Sequence, residues 1–252
     1  IDKVSGYDKS EQNAKDALEL GLVDELKSFE EIKNSCDVIF IAVPVEGIIK
    51  VLARLEGAPL STTIIDLGST KERIVKSCPT SLKSQFIAAH PMAGTEYSGP
   101  KAAFKELLKG AVVVLCDDES MSQKHLKRAT EILSHVGMHI IFMDAVSHDH
   151  HVGFISHLPH AISFSLVNAT LSEEERRNIF LLGGSSFAGM ARIAKSSEIM
   201  WTDIFRQNKD NILGAMQAFK AEFAHCEDML KNERWDELSL WMKNARQIKE
   251  IL

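Results

Sequence analysis

The histidine at position 90 is placed for acid–base chemistry. It opens His90-Pro91-Met92-Ala93-Gly94-Thr95-Glu96, where a strand-like run gives way to a loop holding a helix breaker and a flexible residue. An imidazole with an ordinary pKa of about 6.5 is largely neutral at pH 7 and can accept a proton. A second candidate, Ser69 in Asp66-Leu67-Gly68-Ser69-Thr70-Lys71, offers a hydroxyl able to orient a substrate oxygen, and Gly68 permits close backbone approach. Two plainer readings stand beside these. An isolated histidine is more often structural, and Ser69 with Glu72 at its third position is also a capping-box pattern for the helix that follows.

Further along, Arg192 follows a glycine-rich break, Gly183-Gly184-Ser185-Ser186, in an otherwise helical stretch. A guanidinium there could hold a carboxylate through two parallel hydrogen bonds, although a solvated helix surface explains an arginine as well. His157 and His160, three apart, would share one helix face. They continue a histidine-rich run, Ser147-His148-Asp149-His150-His151, yet the spacing matches no metal signature. Hydrogen bonding to an anionic ligand, or histidines satisfied at a domain boundary, fits them better. Trp201 and Asp203 read by default as the core and surface of a helix.

These groups need elements to carry them, and the first half of the chain supplies a repeating pattern. Short β-branched runs alternate with amphipathic stretches, as in a parallel sheet covered by helices. Strands are expected at Lys3–Tyr7, Asp37–Val43, Thr63–Leu67, Gln85–Ala89, Ala111–Cys116 and Met138–Met143. A helix capped by Ser10 and stopped at Gly21 follows the first, and another over about 120–136 joins the last two. In open parallel sheets, ligands sit beyond the carboxyl ends of the strands. That rule singles out Asp8, Val43 with Pro44, Ser69, and His90. Asp8 suits the ribose hydroxyls of a dinucleotide and would favour NAD over NADP, unless it merely caps the next helix. The glycine-rich turn of such a site is expected about 20 residues before this strand. The sequence opens on Ile1 without a Met, so that turn and the strand before it are expected to lie outside it.

From Ala145 onward only helical periodicity remains. Helices are expected over about 155–169 with Pro159 as a kink, over 173–182, and in two long tracts at 199–230 and 233–252. The organisation is thus a Rossmann-like α/β domain over residues 1–144 and an all-helical domain over 145–252, with no internal repeat and no low-complexity linker.

Composition removes other classes. Lysine and arginine number 29 against 35 acids, a net charge of −6, which argues against nucleic acid or an anionic membrane as the main partner. No apolar run approaches the roughly 18 residues of a membrane span. Cys36, Cys78, Cys116 and Cys226 are scattered singly, which fits reduced thiols in a cytoplasmic protein better than a disulfide framework.

Taken together, the segments resemble the prephenate/arogenate dehydrogenase family of tyrosine biosynthesis. The carriers are Asp66 to Lys71, His90-Pro91-Met92-Ala93-Gly94-Thr95-Glu96-Tyr97-Ser98-Gly99, His148-Asp149, Ser156-His157-Leu158-Pro159-His160-Ala161, Arg192-Ile193-Ala194-Lys195-Ser196 and Ile199-Met200-Trp201-Thr202-Asp203-Ile204. The order and spacing are family-like over nearly the whole chain. Ala188-Gly189 departs from the charged residues of some relatives, and neither a fused chorismate mutase nor a separate regulatory domain is expected in a sequence of this length. The resemblance implies NAD-dependent oxidative decarboxylation of prephenate, with arogenate as the alternative substrate. It also implies a homodimer through the helical domain and no metal. By the same resemblance His90 accepts the proton of the ring hydroxyl and Ser69 orients that hydroxyl. Arg192 binds a substrate carboxylate, and His157, His160, Thr95, Glu96 and Trp201 line the pocket. A non-catalytic sensor of dinucleotides or aromatic metabolites on the same fold is the contrasting expectation, though a sensor needs no proton acceptor.

Overall fold

The computed structural model describes residues 2–95, 97–116 and 120–251. Its first part runs β1 (Ser5–Gly6), α1 (Glu11–Glu19), β2 (Glu25–Leu26), α2 (Phe29–Ser35), β3 (Val38–Ile41), α3 (Val45–Arg54), β4 (Thr63–Asp66), α4 (Glu72–Ser77), β5 (Phe86–Pro91), β6 (Val112–Cys116), α5 (Gln123–His135) and β7 (His139–Met143). Strands β1 and β2 form a separate parallel pair, while β3-β4-β5-β6-β7 lie side by side in that order. The chain cues behave as expected at α1, where the Ser10 hydroxyl accepts the Asn13 N–H and Gly21 takes φ +67° just past the end.

The sheet differs from an all-parallel one at a single step: β6 pairs antiparallel with β5, and β7 then runs parallel to β6. The connection explains this. Among the described residues of 92–111 the one helical element is a short 3₁₀ turn at Pro100–Ala102. A parallel return usually needs a crossover helix, which this segment lacks, whereas an antiparallel return needs only a loop. β5 also continues through Pro91, so His90 belongs to the strand itself and not to the loop after it.

Alternation along the strands builds two cores. Ile39, Ile41, Ile64, Phe86, Ala88, Val114 and Cys116 pack on one face against Ile48 and Leu52 of α3 and Ile74 of α4. Ile65, Ile87, Ala89, Val113 and Leu115 pack on the other against Ala129 and Leu133 of α5. Burying each such Ile or Leu is worth about 1.5–3 kcal/mol. Because side chains repeat every second residue, His90 shares the face of Phe86 and Ala88.

That face is also where the second part of the chain docks. It comprises α6 (Ala145–Val152), a wide π-helical turn (Gly153–His157), α7 (Leu158–Leu171), α8 (Arg176–Leu182), α9 (Ser185–Arg192), α10 (Glu198–Gln207), α11 (Lys209–Lys231) and α12 (Trp235–Ala245). Trp201 and Ile204 of α10 belong to the same core as α3 and β5. The long tract expected over 199–230 is broken at Asn208, whose side chain is taken up by buried contacts described below. Among the described residues no helix is long and apolar enough to cross a membrane.

Candidate active site

Asp66, the last residue of β4, is fully buried and organises the loop that follows. Its carboxylate accepts the Gly68 N–H at 3.0 Å and the Ala89 N–H at 3.2 Å. Lys71, also fully buried, forms an ion pair with Asp66 and donates to the Ala89 carbonyl at 2.7 Å. The loop therefore folds back onto β5 one residue before His90. Gly68 is closely packed: a Cβ there would meet Ile48 Cδ1 at 2.6 Å and Ile74 Cδ1 at 3.0 Å, so a larger residue would have to displace these buried side chains. The turn leaves Ser69 half-buried at the carboxyl edge of β4, on the strand adjacent to the one that carries His90.

The capping-box reading of Ser69 is corrected by the structure. Helix α4 starts at Glu72, and the residue before it is Lys71, which gives no side-chain cap. Asp149 of α6 supplies the cap from across the chain, accepting the Lys71 N–H at 2.7 Å and the Glu72 N–H at 3.0 Å. A distant carboxylate thus does what the local sequence suggested a neighbouring hydroxyl would do, and Ser69 is released from that duty.

Asp149 also begins a line of side chains that ends at His90. Its Oδ1 lies 2.8 Å from His148 Nδ1, and His148 Nε2 lies 2.8 Å from His90 Nδ1. All three side chains are buried. Burial holds the His90 pKa well below the ordinary histidine value, and the neighbouring His148, Lys71 and His157 push it in the same direction. His90 is therefore neutral at pH 7, the state required of a proton acceptor.

The helical part contributes a cluster around Trp201. His160 stacks on the indole with ring centroids 3.5 Å apart, and His157 meets it edge-on at 5.8 Å. His160 Nδ1 lies 2.9 Å from the Ser156 carbonyl oxygen, which can only accept, so the ring nitrogen donates there. His157 Nδ1 accepts from Asn208 Nδ2 at 3.0 Å, and Asn208 Nδ2 also donates to the Asp149 carbonyl at 2.6 Å. With Nδ1 accepting, neutral His157 carries its proton on Nε2. That N–H and the Trp201 Nε1–H are buried without a hydrogen-bond partner among the described residues. Two such donors invite an acceptor-rich ligand, because an unsatisfied buried donor costs about 1–3 kcal/mol. Arg192, exposed at the end of α9, acts electrostatically on His160 and so belongs to the same cluster, while Ser163 Oγ donates to the Met190 carbonyl at 2.7 Å and fixes α9 on α7.

Protonation of these rings opposes folding. Burial lowers His157 to about 4, and His90 and His160 move the same way. Below about pH 6.5 the unfolded chain takes up protons that the folded chain refuses, so stability present above pH 6.5 is lost progressively towards pH 4. His157 alone accounts for about 3 kcal/mol of this loss at about 1.36 kcal/mol per pKa unit. Urea unfolding between pH 7.5 and about 4 checks it: stability that stays constant across the window would contradict the buried, neutral assignment.

The remaining sequence candidates are placed as follows. Val43 and Pro44 are exposed at the carboxyl end of β3, next to the strand that delivers Ser69. Asp8 accepts the N–H of Ser10, the residue that caps α1, at 2.8 Å, and it remains exposed beyond β1. Thr95 is half-buried after β5, its hydroxyl held in a turn by the Tyr97 N–H at 3.2 Å. Glu96 lies outside the described residues. Sequence reasoning missed the roles of Lys71, His148, Asp149 and Asn208. Lys71, His148 and Asp149 stand inside the motifs quoted above, but what they touch is far away in sequence.

An open α/β domain with a neutral histidine at its carboxyl edge, facing a helical domain that offers unpaired donors, defines a two-domain dehydrogenase-type protein. Comparison with known proteins narrows the class. The family profile "Prephenate dehydrogenase, nucleotide-binding domain" matches residues 2–142, and "Prephenate dehydrogenase, dimerization domain" matches residues 144–244. The chain belongs to the prephenate dehydrogenase family. It is 31% identical to a prephenate dehydrogenase of Bacillus subtilis, over 99% of this chain and 69% of that protein. It is 30% identical to a cyclohexadienyl dehydrogenase of Zymomonas mobilis, over 99% of this chain and 87% of that one. The crystal structure of Aquifex aeolicus prephenate dehydrogenase in complex with hydroxyphenyl propionate and NAD+ superposes with a TM-score of 0.90 at 32% identity, covering 99% of this chain and 88% of that chain.

Proposed function

We propose that this protein catalyses the NAD-dependent oxidative decarboxylation of prephenate to 4-hydroxyphenylpyruvate. The observation that carries the reading is the meeting, on one face of the sheet, of neutral buried His90 with the donor cluster of His157, Trp201 and Arg192. The first is a proton acceptor; the second suits an anionic substrate.

The edge of the sheet fits a dinucleotide. Val43 and Pro44 are exposed beside half-buried Ser69, and Asp8 keeps its carboxylate at the surface beyond β1, where ribose hydroxyls could reach it. Held there, NAD would supply the hydride acceptor for the carbon that bears the ring hydroxyl. The chain's own residues do the rest. His90 takes the hydroxyl proton, and Ser69 holds that oxygen towards it. Arg192 pairs with a substrate carboxylate, and the His157 and Trp201 N–H groups donate to the same diacid, with His160 and Thr95 around it. As the ring carbonyl forms, the ring carboxylate leaves as carbon dioxide and its electron pair passes into the ring, which becomes aromatic. No residue of the chain is required to form a covalent bond to the substrate.

Mixing the full-length protein with NAD and prephenate, then with NAD and arogenate, tests this reading. Reduced nicotinamide is expected with prephenate at the higher kcat/KM; a preference for arogenate would reassign the substrate, and binding without turnover of either would favour a sensor. Arg192→Ala is expected to raise the KM for prephenate about ten- to a hundredfold, the worth of a charge-assisted pair of about 1.5–3 kcal/mol, with kcat little changed. An unaltered KM would remove Arg192 from substrate binding.

The division near residue 144, a homodimer formed through the helical domain and a cytoplasmic location belong to the same reading. The exposed apolar side chains Phe223 of α11 and Trp235, Leu240 and Met242 of α12 support the dimer, since they offer α11 and α12 as a surface for a second copy.

A further inference from the structure

The buried line from Asp149 to His90 goes beyond supplying a base, because its hydrogen bonds have one consistent direction. Asp149, as a carboxylate, only accepts, and it already accepts two backbone N–H groups of the α4 start. The 2.8 Å contact with His148 therefore makes His148 Nδ1 the donor. With a single ring hydrogen, His148 has its lone pair on Nε2, which then accepts from His90 Nδ1 at 2.8 Å. The consequence falls on His90: its Nδ1 carries the hydrogen and its Nε2 carries the lone pair.

We propose that His148 and Asp149 are positioning residues that lock His90 in the Nδ1–H tautomer, leaving Nε2 as the proton acceptor, and stabilise the imidazolium formed during turnover. In this step the substrate hydroxyl gives its proton to His90 Nε2 and no proton leaves Nδ1; the chain of hydrogen bonds orients the ring and is not a path for transfer. The same carboxylate pins the start of α4, so the loop bearing Ser69 and the ring of His90 are referenced to one buried anchor. The charged and titratable groups around His90 are His148 and Asp149 on α6, Lys71 and Asp66 from the β4–α4 segment, and His157 at the start of α7. None of these offers His90 Nδ1 the acceptor that His148 does.

This inference rests on the proposed reaction, and its test has one arm that does not. Nitrogen-15 spectra of the histidine rings in the wild-type protein are expected to show His90 protonated at Nδ1 and bare at Nε2. A His90 bare at Nδ1 would overturn the proposal whatever the enzyme turns over, whereas failure of prephenate turnover would strike the reaction and leave the spectrum to decide the tautomer. The second arm compares His148→Leu with His148→Gln. Leucine removes the acceptor and should lower kcat on the order of 10²-fold or more while KM stays nearly constant. Glutamine offers an oxygen to His90 and an N–H to Asp149 at a spacing close to that of the two ring nitrogens, and should restore kcat to within about tenfold of wild type. Equal rates in wild type and His148→Leu, or folded leucine and glutamine variants that are equally impaired, would overturn the positioning role.

Discussion

In His90→Asn, turnover of prephenate falls on the order of 10²-fold or more while affinity for NAD is nearly unchanged. Asparagine keeps the size and polarity of the position and can still donate towards His148, so the buried surroundings survive. What it lacks is a basic nitrogen. Without one, the hydroxyl proton must pass to water at a site where the acceptor is otherwise held 8% exposed on a strand in the core of the sheet edge. On the proposed reading, in which His90 acts on the reacting hydroxyl and the dinucleotide lies on the strand ends beside it, the loss belongs to kcat, with the KM for prephenate moving much less. Steady-state kinetics and a fluorescence titration with NAD measure the two quantities separately. A rate within a few-fold of wild type, in protein whose unfolding profile is unaltered, would remove His90 from the proton transfer.

A second large effect is expected on stability from Lys71→Met. Lys71 and Asp66 are both fully buried, and the lysine is the cation that faces the Asp66 carboxylate. Truncating one partner of a buried pair leaves the other charge without compensation, at about 3–5 kcal/mol. The Ala89 carbonyl loses its 2.7 Å donor at the same time. Combining Lys71→Met with Asp66→Asn removes the stranded charge, so the double variant should lose less than the two single variants together. Urea unfolding at pH 7 checks both statements. A single-variant loss under about 1 kcal/mol, the range of exposed pairs, would show that the pair is not the anchor of the β4–α4 loop. Activity should fall alongside, since this loop carries Ser69 and is tied to Ala89, the residue before His90.

Much of this was visible in the residues themselves. The β-branched runs place the strands because a strand buried on both faces needs apolar side chains at successive positions, and Ile64-Ile65 and Val113-Val114 do divide between the two cores. Ser10 and Gly21 bound α1 through bonds only a few residues long, which local sequence can encode. His90 and Ser69 stood out because each lies at the carboxyl end of a short buried strand, His90 within β5 and Ser69 just after β4. What escaped the sequence depends on distant partners. The start of α4 looked like a Ser69 capping box, yet its N–H groups are satisfied by Asp149, 77 positions away from Glu72. Asn208 sits in a continuous helical periodicity, and only the buried targets of its amide, the Asp149 carbonyl and His157, show why the helix breaks there. Likewise, no local pattern marks β6 as antiparallel; its direction follows from the absence of a crossover helix among the described residues between 92 and 111. The histidine-rich run at 147–151 hid two different fates, with His148 buried in the line to His90 and His150 exposed.

The most direct measurement follows both products at once. Prephenate and NAD are mixed with the full-length wild-type protein, and carbon dioxide and reduced nicotinamide are quantified in the same sample. Equal amounts of the two, formed catalytically by the wild type and largely abolished in His90→Asn, are the predicted result. Reduced nicotinamide without carbon dioxide, carbon dioxide without reduced nicotinamide, or neither product from folded protein would contradict the account.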